Sequence, residues 1–311
     1  MKLSIVTTLY NTSDYLHEFM DRCRRLVVDL PISSYEFVIV DDGSNVNQLS
    51  KARAICEKFS HTSLVCLSRN FGHHYAILKG LEHAKGDLVF LIDSDLEENP
   101  MDGLKLYQEF INTKADVVYG YQEKRRGNFG ERLSGHFFYF LMREFMRVEI
   151  PRNMMTARLM TRRFVNALLS HPEKQVNFSG LTLITGFKQS KIPLTKLRLR
   201  KTTYSLSRKT RVLVDAITSF STTPLKLIFS VGLILFFLST IVVVFLVLQS
   251  LIGQSQTSGW ASLIVSVWFL GGLNMLSIGI VGAYVSKIFL ETKNRPRAIV
   301  SEIYTNEGET K

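Results

Sequence analysis

Charge is missing from one long part of this 311-residue chain: residues 227–286 contain no Asp, Glu, Lys or Arg. Such a stretch cannot be a solvated loop, and hydrophobicity all round a helix calls for a nonpolar solvent on every side. Cysteine is scarce as well. Cys23, Cys56 and Cys66 are odd in number and lack metal-type spacing, which excludes a disulfide framework and a thiolate zinc site. They fit buried thiols in a reducing compartment. There is no internal repeat and no low-complexity tract. The apolar run in Met1-Lys2-Leu3-Ser4-Ile5-Val6 is too short for a signal peptide.

A glycine-flanked polar break, Gly253-Gln254-Ser255-Gln256-Thr257-Ser258-Gly259, divides the uncharged stretch. Each half offers the roughly 20 apolar residues that cross a hydrocarbon core. Two transmembrane helices are therefore expected near 227–251 and 260–285, with Trp260 at an interface. Lys196, Arg198, Arg200, Lys201, Arg208, Lys209, Arg211 and Lys226 precede the first span, opposed nearby by Asp215 alone. Lys287, Lys293, Arg295 and Arg297 follow the second. The positive-inside rule then predicts a multi-pass protein of the inner (cytoplasmic) membrane with both termini and the preceding domain in the cytoplasm. The net charge of +11 has a matching cause. Basic residues beside a span attract anionic headgroups at about 1 kcal/mol each. A lipid bilayer, not a nucleic acid, is the expected partner.

Before the spans, short apolar runs at 3–9, 36–41, 63–67, 87–93 and 116–119 read as strands. Longer patterns at 13–30, 46–59, 73–84 and 100–113 read as helices. Alternation of this kind, with strands apolar throughout, predicts an α/β domain whose mostly parallel sheet is covered on both faces. Ligands of such sheets bind beyond the carboxyl ends of the strands. Those ends read Thr8-Leu9-Tyr10-Asn11, Asp41-Asp42-Gly43-Ser44, Arg69-Asn70-Phe71-Gly72-His73-His74 and Asp93-Ser94-Asp95. Carboxylates crowded in one crevice repel one another unless a cation or hydrogen-bond donors lie between them. Two aspartates at one strand end can serve different partners, a nucleotide and a divalent ion. Oxygen ligands suit Mg²⁺ or Mn²⁺. Ser44 is expected to cap the following helix. Arg69 faces either a diphosphate or a strand-end carboxylate, and His73 and His74 are expected to open a helix, with a ligand role as the lesser alternative.

These residues resemble the polyprenyl-phosphate glycosyltransferases, family-2 enzymes of GT-A fold that include dolichyl-phosphate mannose synthase and the bacterial undecaprenyl-phosphate sugar transferases. The resemblance spans nearly the whole chain. It rests on Tyr10-Asn11, Asp41-Asp42-Gly43-Ser44, Arg69-Asn70-Phe71-Gly72-His73, Asp93-Ser94-Asp95-Leu96, Val117-Val118-Tyr119-Gly120, Phe220-Ser221-Thr222-Thr223-Pro224-Leu225 and Arg295-Pro296. It implies inverting, metal-dependent transfer from a nucleotide diphosphate sugar, with uridine the expected base, to a polyprenyl (undecaprenyl) phosphate. Asp93 and Asp95 are then catalytic. Thr8, Tyr10, Asn11, Asp41, Asp42, Arg69 and Asp93 bind the nucleotide sugar, and Asp95 binds the metal. Position relative to the family pattern selects Arg125, Arg132 and Ser134 for the acceptor phosphate. The aromatic run from Phe137 to Phe145 either lines a prenyl path, dips into the membrane interface or packs in the core.

Several positions depart from the family pattern. Thr8 and Thr12 replace a proline and a glutamate. Glu97-Glu98-Asn99-Pro100 follows the aspartates where Gln-Asp-Pro is usual. Met155-Thr156-Ala157-Arg158-Leu159-Met160 stands for Gly-Asp-Phe-Arg-Leu-Met, whose aspartate has been considered a base. The expected organisation is a GT-A nucleotide-sugar-binding catalytic domain at 1–206 and a basic juxtamembrane segment at 207–226. A two-helix transmembrane hairpin at 227–286 and a cytoplasmic tail at 287–311 follow. Two other functions compete: a membrane-anchored adaptor that binds a nucleotide sugar without turnover, and a polysaccharide synthase. The synthase lacks support from a Gln-x-x-Arg-Trp segment, and two spans are few for a polymer channel. A homo-oligomer is left open.

Overall fold

The computed structural model describes residues 1–122, 153–173, 178–197, 223–251 and 259–306. These fall into two compact units. One comprises the described residues up to 197 together with 295–306; the other comprises 223–251 and 259–294.

The first unit is built on one eight-stranded sheet. β1 (Lys2–Leu9), β2 (Ser34–Asp41), β3 (Thr62–Leu67) and β4 (Leu88–Leu91) are parallel, in the order β4-β1-β2-β3. β6 (Met154–Thr161) lies antiparallel between β4 and β5 (Val117–Tyr121), and β7 (Gln189–Pro193) is parallel to β5 at that edge. At the other edge β8 (Val300–Thr305) runs antiparallel to β3. The sheet is thus mixed but mostly parallel.

Two cores explain why the parallel strands are apolar throughout. On one face α1 (Leu16–Asp29), α2 (Val46–Cys56) and α4 (Gly103–Thr113) pack against Leu3, Ile5, Phe37, Ile39 and Phe90. On the other, α3 (His73–His83), α5 (Arg162–Leu169) and α6 (Phe178–Ile184) cover Val6, Val38, Val40, Val89 and Leu91. In α1 the buried residues Leu16, Phe19, Met20, Cys23 and Leu26 recur at helical spacing, which sets the face it buries. The strands and helices expected before residue 122 are all present; short 3-10 turns at Ser13–Tyr15 and Pro100–Asp102 take the beginnings of two expected helices.

The region expected as a tail behaves differently from that expectation. Residues after 294 rejoin the first unit, and six of them form β8. Alternation in Val300-Ser301-Glu302-Ile303-Tyr304-Thr305 suits an edge strand with one face on a core, and Ile303 and Tyr304 pack against opposite cores. Glu302 accepts a 2.5 Å hydrogen bond from Arg53 of α2, whose guanidinium also lies 4.0 Å over the Tyr304 ring. Arg297 donates to the carbonyl oxygens of His171 and Glu173. Arg297 and Lys196, both counted above toward membrane orientation, are therefore built into the sheet unit.

The second unit contains α7 (Thr223–Leu251) and α8 (Trp260–Thr292). Among the described residues one helical stretch, Ser266–Thr292 of α8, is long and apolar enough to cross a membrane; Pro224–Leu235 is a shorter apolar stretch within α7. Trp268 and Met275 of α8 are 79% and 74% exposed, so no described residue covers them.

Candidate active site

Strand order reverses at β1: the chain moves from β1 to β2 and β3 on one side, then returns to place β4 on the other. The crevice beyond the carboxyl ends of β1 and β4 is the switch point at which such sheets bind ligands. The buried Ser94 hydroxyl donates to the Thr8 carbonyl at 2.9 Å and ties the two strand ends together. Asp93 and Asp95 flank this tie. The Asp93 side chain keeps 27% of its surface exposed. Asp95 Oδ1 accepts from the Glu97 amide at 3.0 Å, and the intervening Leu96 is held left-handed at φ 59 with its side chain buried. A leucine there costs on the order of 1 kcal/mol or more, the kind of local strain that accumulates at working sites.

The end of β2 divides its two aspartates. Asp42 accepts from the Phe71 amide at 2.8 Å and from the Gly72 amide at 3.0 Å. It thus fixes the turn entering α3, and burial raises its pKa against those two bonds. Asp41 Oδ2 accepts from the Ser44 amide at 3.1 Å, while Asp41 Oδ1 is buried with no hydrogen-bond partner among the described residues. Gly43 sits at φ 72 where a Cβ would fall 2.3 Å from the Arg69 carbonyl carbon, so the two loops touch main chain to main chain.

Other predicted residues take supporting places. Asn11, left-handed at φ 54, accepts through Oδ1 from the Asn45 amide at 3.0 Å, and its own amide donates to Ser44 Oγ at 2.9 Å. Ser44 therefore does not cap α2; Asn45 does, accepting from the Gln48 amide at 3.0 Å. An asparagine one residue later reaches the free N–H while Ser44 is held by Asn11. Tyr10 is 50% exposed at the rim. Arg69 is exposed, with its guanidinium 4.1 Å over the Phe71 ring.

Among the described residues no group of three or more His, Cys, Asp or Glu forms a closed metal cage. An open site fits better what Asp95 offers. Burial, then the charges of Asp93 and Glu97, raise its pKa, with the Glu97 amide and Lys196 opposing. A cation beside it relieves that repulsion, and Mg²⁺ commonly takes only one or two carboxylates plus substrate phosphates. Lys196 supplies partial compensation, pairing with Glu97 at 3.0 Å.

Two residues of this region, Glu98 and Arg158, were not singled out by the sequence. Glu98, 1% exposed, accepts from the amides of Thr156 (3.0 Å) and Ala157 (2.7 Å). Burial, then Asp93, push its pKa up to about 7, against Lys196 and those two amides. Arg158 is also buried. It donates to the carbonyls of Thr156 and Met155, both at 3.0 Å, and lies 4.7 Å over Phe178; burial brings its pKa down to about 10 although Glu98 and Asp93 favour its charge. His73, expected from the sequence to open a helix, with a ligand role as the lesser alternative, does open α3 and stands between Thr8 and Asp93. The signal for Glu98 was its departure from the family aspartate. Arg125, Arg132, Ser134 and the aromatic run at 137–145 lie outside the described residues.

Comparison with known proteins bears on this arrangement. A profile described as Glycosyl transferase family 2 matches residues 4–169. A Mycobacterium tuberculosis (strain CDC 1551 / Oshkosh) protein described as "Putative glycosyltransferases" is 41% identical over 311 residues, all of this chain and 91% of that protein. A prophage bactoprenol glucosyl transferase homolog of Escherichia coli (strain K12) is 28% identical, covering 97% of this chain and 99% of that protein. Among solved structures, glucosyl-3-phosphoglycerate synthase from Mycobacterium tuberculosis with phosphoglyceric acid is 19% identical and has a TM-score of 0.50, covering 71% of this chain and 80% of that one. The last likeness shows the fold, a GT-A-like α/β domain.

Proposed function

The chain belongs to glycosyltransferase family 2, and from that premise we propose that it moves a sugar, with inversion, from a nucleotide diphosphate donor to a polyprenyl phosphate at the cytoplasmic membrane face. The observation that carries the donor side is the buried Asp41 Oδ1, an acceptor without a partner among the described residues, beside the switch-point crevice. A buried acceptor left unmade costs about 1–3 kcal/mol, so a ligand donor such as a uracil N–H or a ribose hydroxyl would bind there with gain. Thr8, Tyr10, Asn11, Asp42 and Arg69 complete that wall, by contact or by holding its loops.

Asp95 would hold Mg²⁺ or Mn²⁺, with Asp93 next to it. When bound, the ion supplies positive charge to the departing nucleoside diphosphate. The acceptor side is proposed for Arg125, Arg132 and Ser134, since guanidinium groups match phosphate oxygens in pairs. Attack needs no side-chain base. A phosphate monoester has its second ionisation near pKa 6 and is largely a dianion at neutral pH. Thr156 stands at the aspartate of the family pattern, and both oxygens of Glu98 are bonded to main-chain amides.

Relatives named bactoprenol glucosyl transferases support the lipid acceptor. The apolar stretch in α8 supports membrane attachment, and we propose α7 as a second span, with both termini cytoplasmic. The test is a panel of nucleotide sugars incubated with the full chain, undecaprenyl phosphate and Mn²⁺. One donor should yield a lipid heavier by one sugar in the mass spectrum. A panel in which no donor yields it contradicts the proposal.

A further inference from the structure

Four elements converge on one imidazole. Asp42, at the end of β2, binds the amides of Phe71 and Gly72 and so fixes the turn before α3. Gly72 caps that helix at φ 109, a conformation an L side chain rarely adopts. His73 follows as the first helical residue. Its Nδ1 lies 3.1 Å from Thr8 Oγ1 of β1, and its Nε2 lies 3.6 Å from Asp93 Oδ1 beyond β4. The first contact sets the ring's orientation. The second is longer than a full hydrogen bond, so Asp93 attracts the Nε2 edge without saturating it. The side chain remains 46% exposed in the crevice. The amino end of a helix adds partial positive charge at the same point.

We propose that His73 binds the diphosphate of the donor, with Thr8 orienting the ring and the Nε2–H directed at a phosphate oxygen. This rests on the proposed function. In the transfer an acceptor phosphate oxygen bonds to the anomeric carbon, the bond from that carbon to the diphosphate oxygen breaks, and its electron pair leaves on the nucleoside diphosphate. His73 keeps its proton throughout and offers it as a hydrogen bond to the oxygen that gains charge. A side chain that only begins a helix would make no distinction between nucleotides with one phosphate and two. A diphosphate ligand must.

The experiment is calorimetric titration of the full chain in detergent with UDP and UMP, and with GDP and GMP, in the presence of Mn²⁺. Because His73 is nearly half exposed, His73→Ala should leave the fold intact, which a melting curve checks. For the base that binds, the substitution should weaken the diphosphate about tenfold or more and the monophosphate by no more than about twofold, as expected for loss of one charge-assisted bond. His73→Gln, which keeps a donor, should recover part of the difference. Equal weakening of both nucleotides, or none, overturns the inference and leaves the donor-site reading standing. A wild-type chain that binds none of the four overturns both.

Discussion

Glu98 and Ala157 are joined in the interior of the sheet unit: the carboxylate accepts the Ala157 amide at 2.7 Å while its other oxygen takes the Thr156 amide. Arg158 holds the carbonyls of the same segment from the other direction. The main chain at 155–157 is thereby fixed by side chains other than its own, and the turn carrying Asp93 and Asp95 is docked on β6. Glu98→Ala leaves two amides without acceptors, at about 1–3 kcal/mol each. We expect lower stability together with faster hydrogen exchange at Thr156 and Ala157. Unchanged exchange there would contradict the clamp.

The same carboxylate sets a pH dependence. Its pKa in the folded chain, about 7, lies above the 4.5 usual for a glutamate, so the folded state binds the proton more tightly. Stability from this group is full below about pH 4.5 and is lost as pH rises through 7. Metal-free protein should therefore melt at a progressively lower temperature between about pH 5 and 7.5, and Glu98→Gln should flatten that part of the curve. An identical slope in the variant would assign the effect elsewhere.

How much of this was legible in the sequence depends on the periodicity of each element. Strands β1 to β5 and helices α1 to α4 were readable because each has its own apolar run or helical stripe. β6 was not, since Met154–Thr161 lacks β-branched residues apart from its threonines and owes its burial to neighbours on both sides. β8 escaped because it follows the apolar helices, where charge alone suggested a tail. Strand-end aspartates were visible as types, but their division of labour was not. Asp42 binds loop amides, and Asp41 keeps one oxygen without a partner among the described residues, where the Arg69–Asn70 main chain meets Gly43.

β8 makes a prediction about shortened chains. Ending the protein after Thr223 removes the strand that covers β3 and the partner of Arg53. An uncovered edge invites aggregation. Such a chain should melt lower by about 5 °C or more than one in which 224–294 is replaced by a flexible linker and 295–311 is kept. Equal melting temperatures would show that β8 contributes little.

Asp95 is the proposed metal ligand in a crowded acidic turn. Asp95→Asn keeps the shape and removes the charge, so turnover should fall about a hundredfold or more, with a milder loss of nucleotide affinity. Near-normal turnover at saturating Mn²⁺ would remove Asp95 from that role.

The proposed attack without a side-chain base has its own consequence. Thr156→Asp introduces the carboxylate of the family pattern, and should raise the transfer rate by no more than about a few-fold, because a phosphate monoester acceptor is already ionised. A gain of about a hundredfold would mean that a positioned base was lost in this chain.

Transfer to a lipid phosphate is distinguished from transfer to other lipids by the choice between two acceptors. The full chain, its donor and Mn²⁺ are offered undecaprenyl phosphate in one reaction and undecaprenol in another, and the extracted lipid is weighed by mass spectrometry. The account predicts a sugar-bearing product from the phosphate and none from the alcohol, which brings neither the anion nor the ready nucleophile. Product from the alcohol at a comparable rate, or donor binding with no lipid product from either, would contradict it.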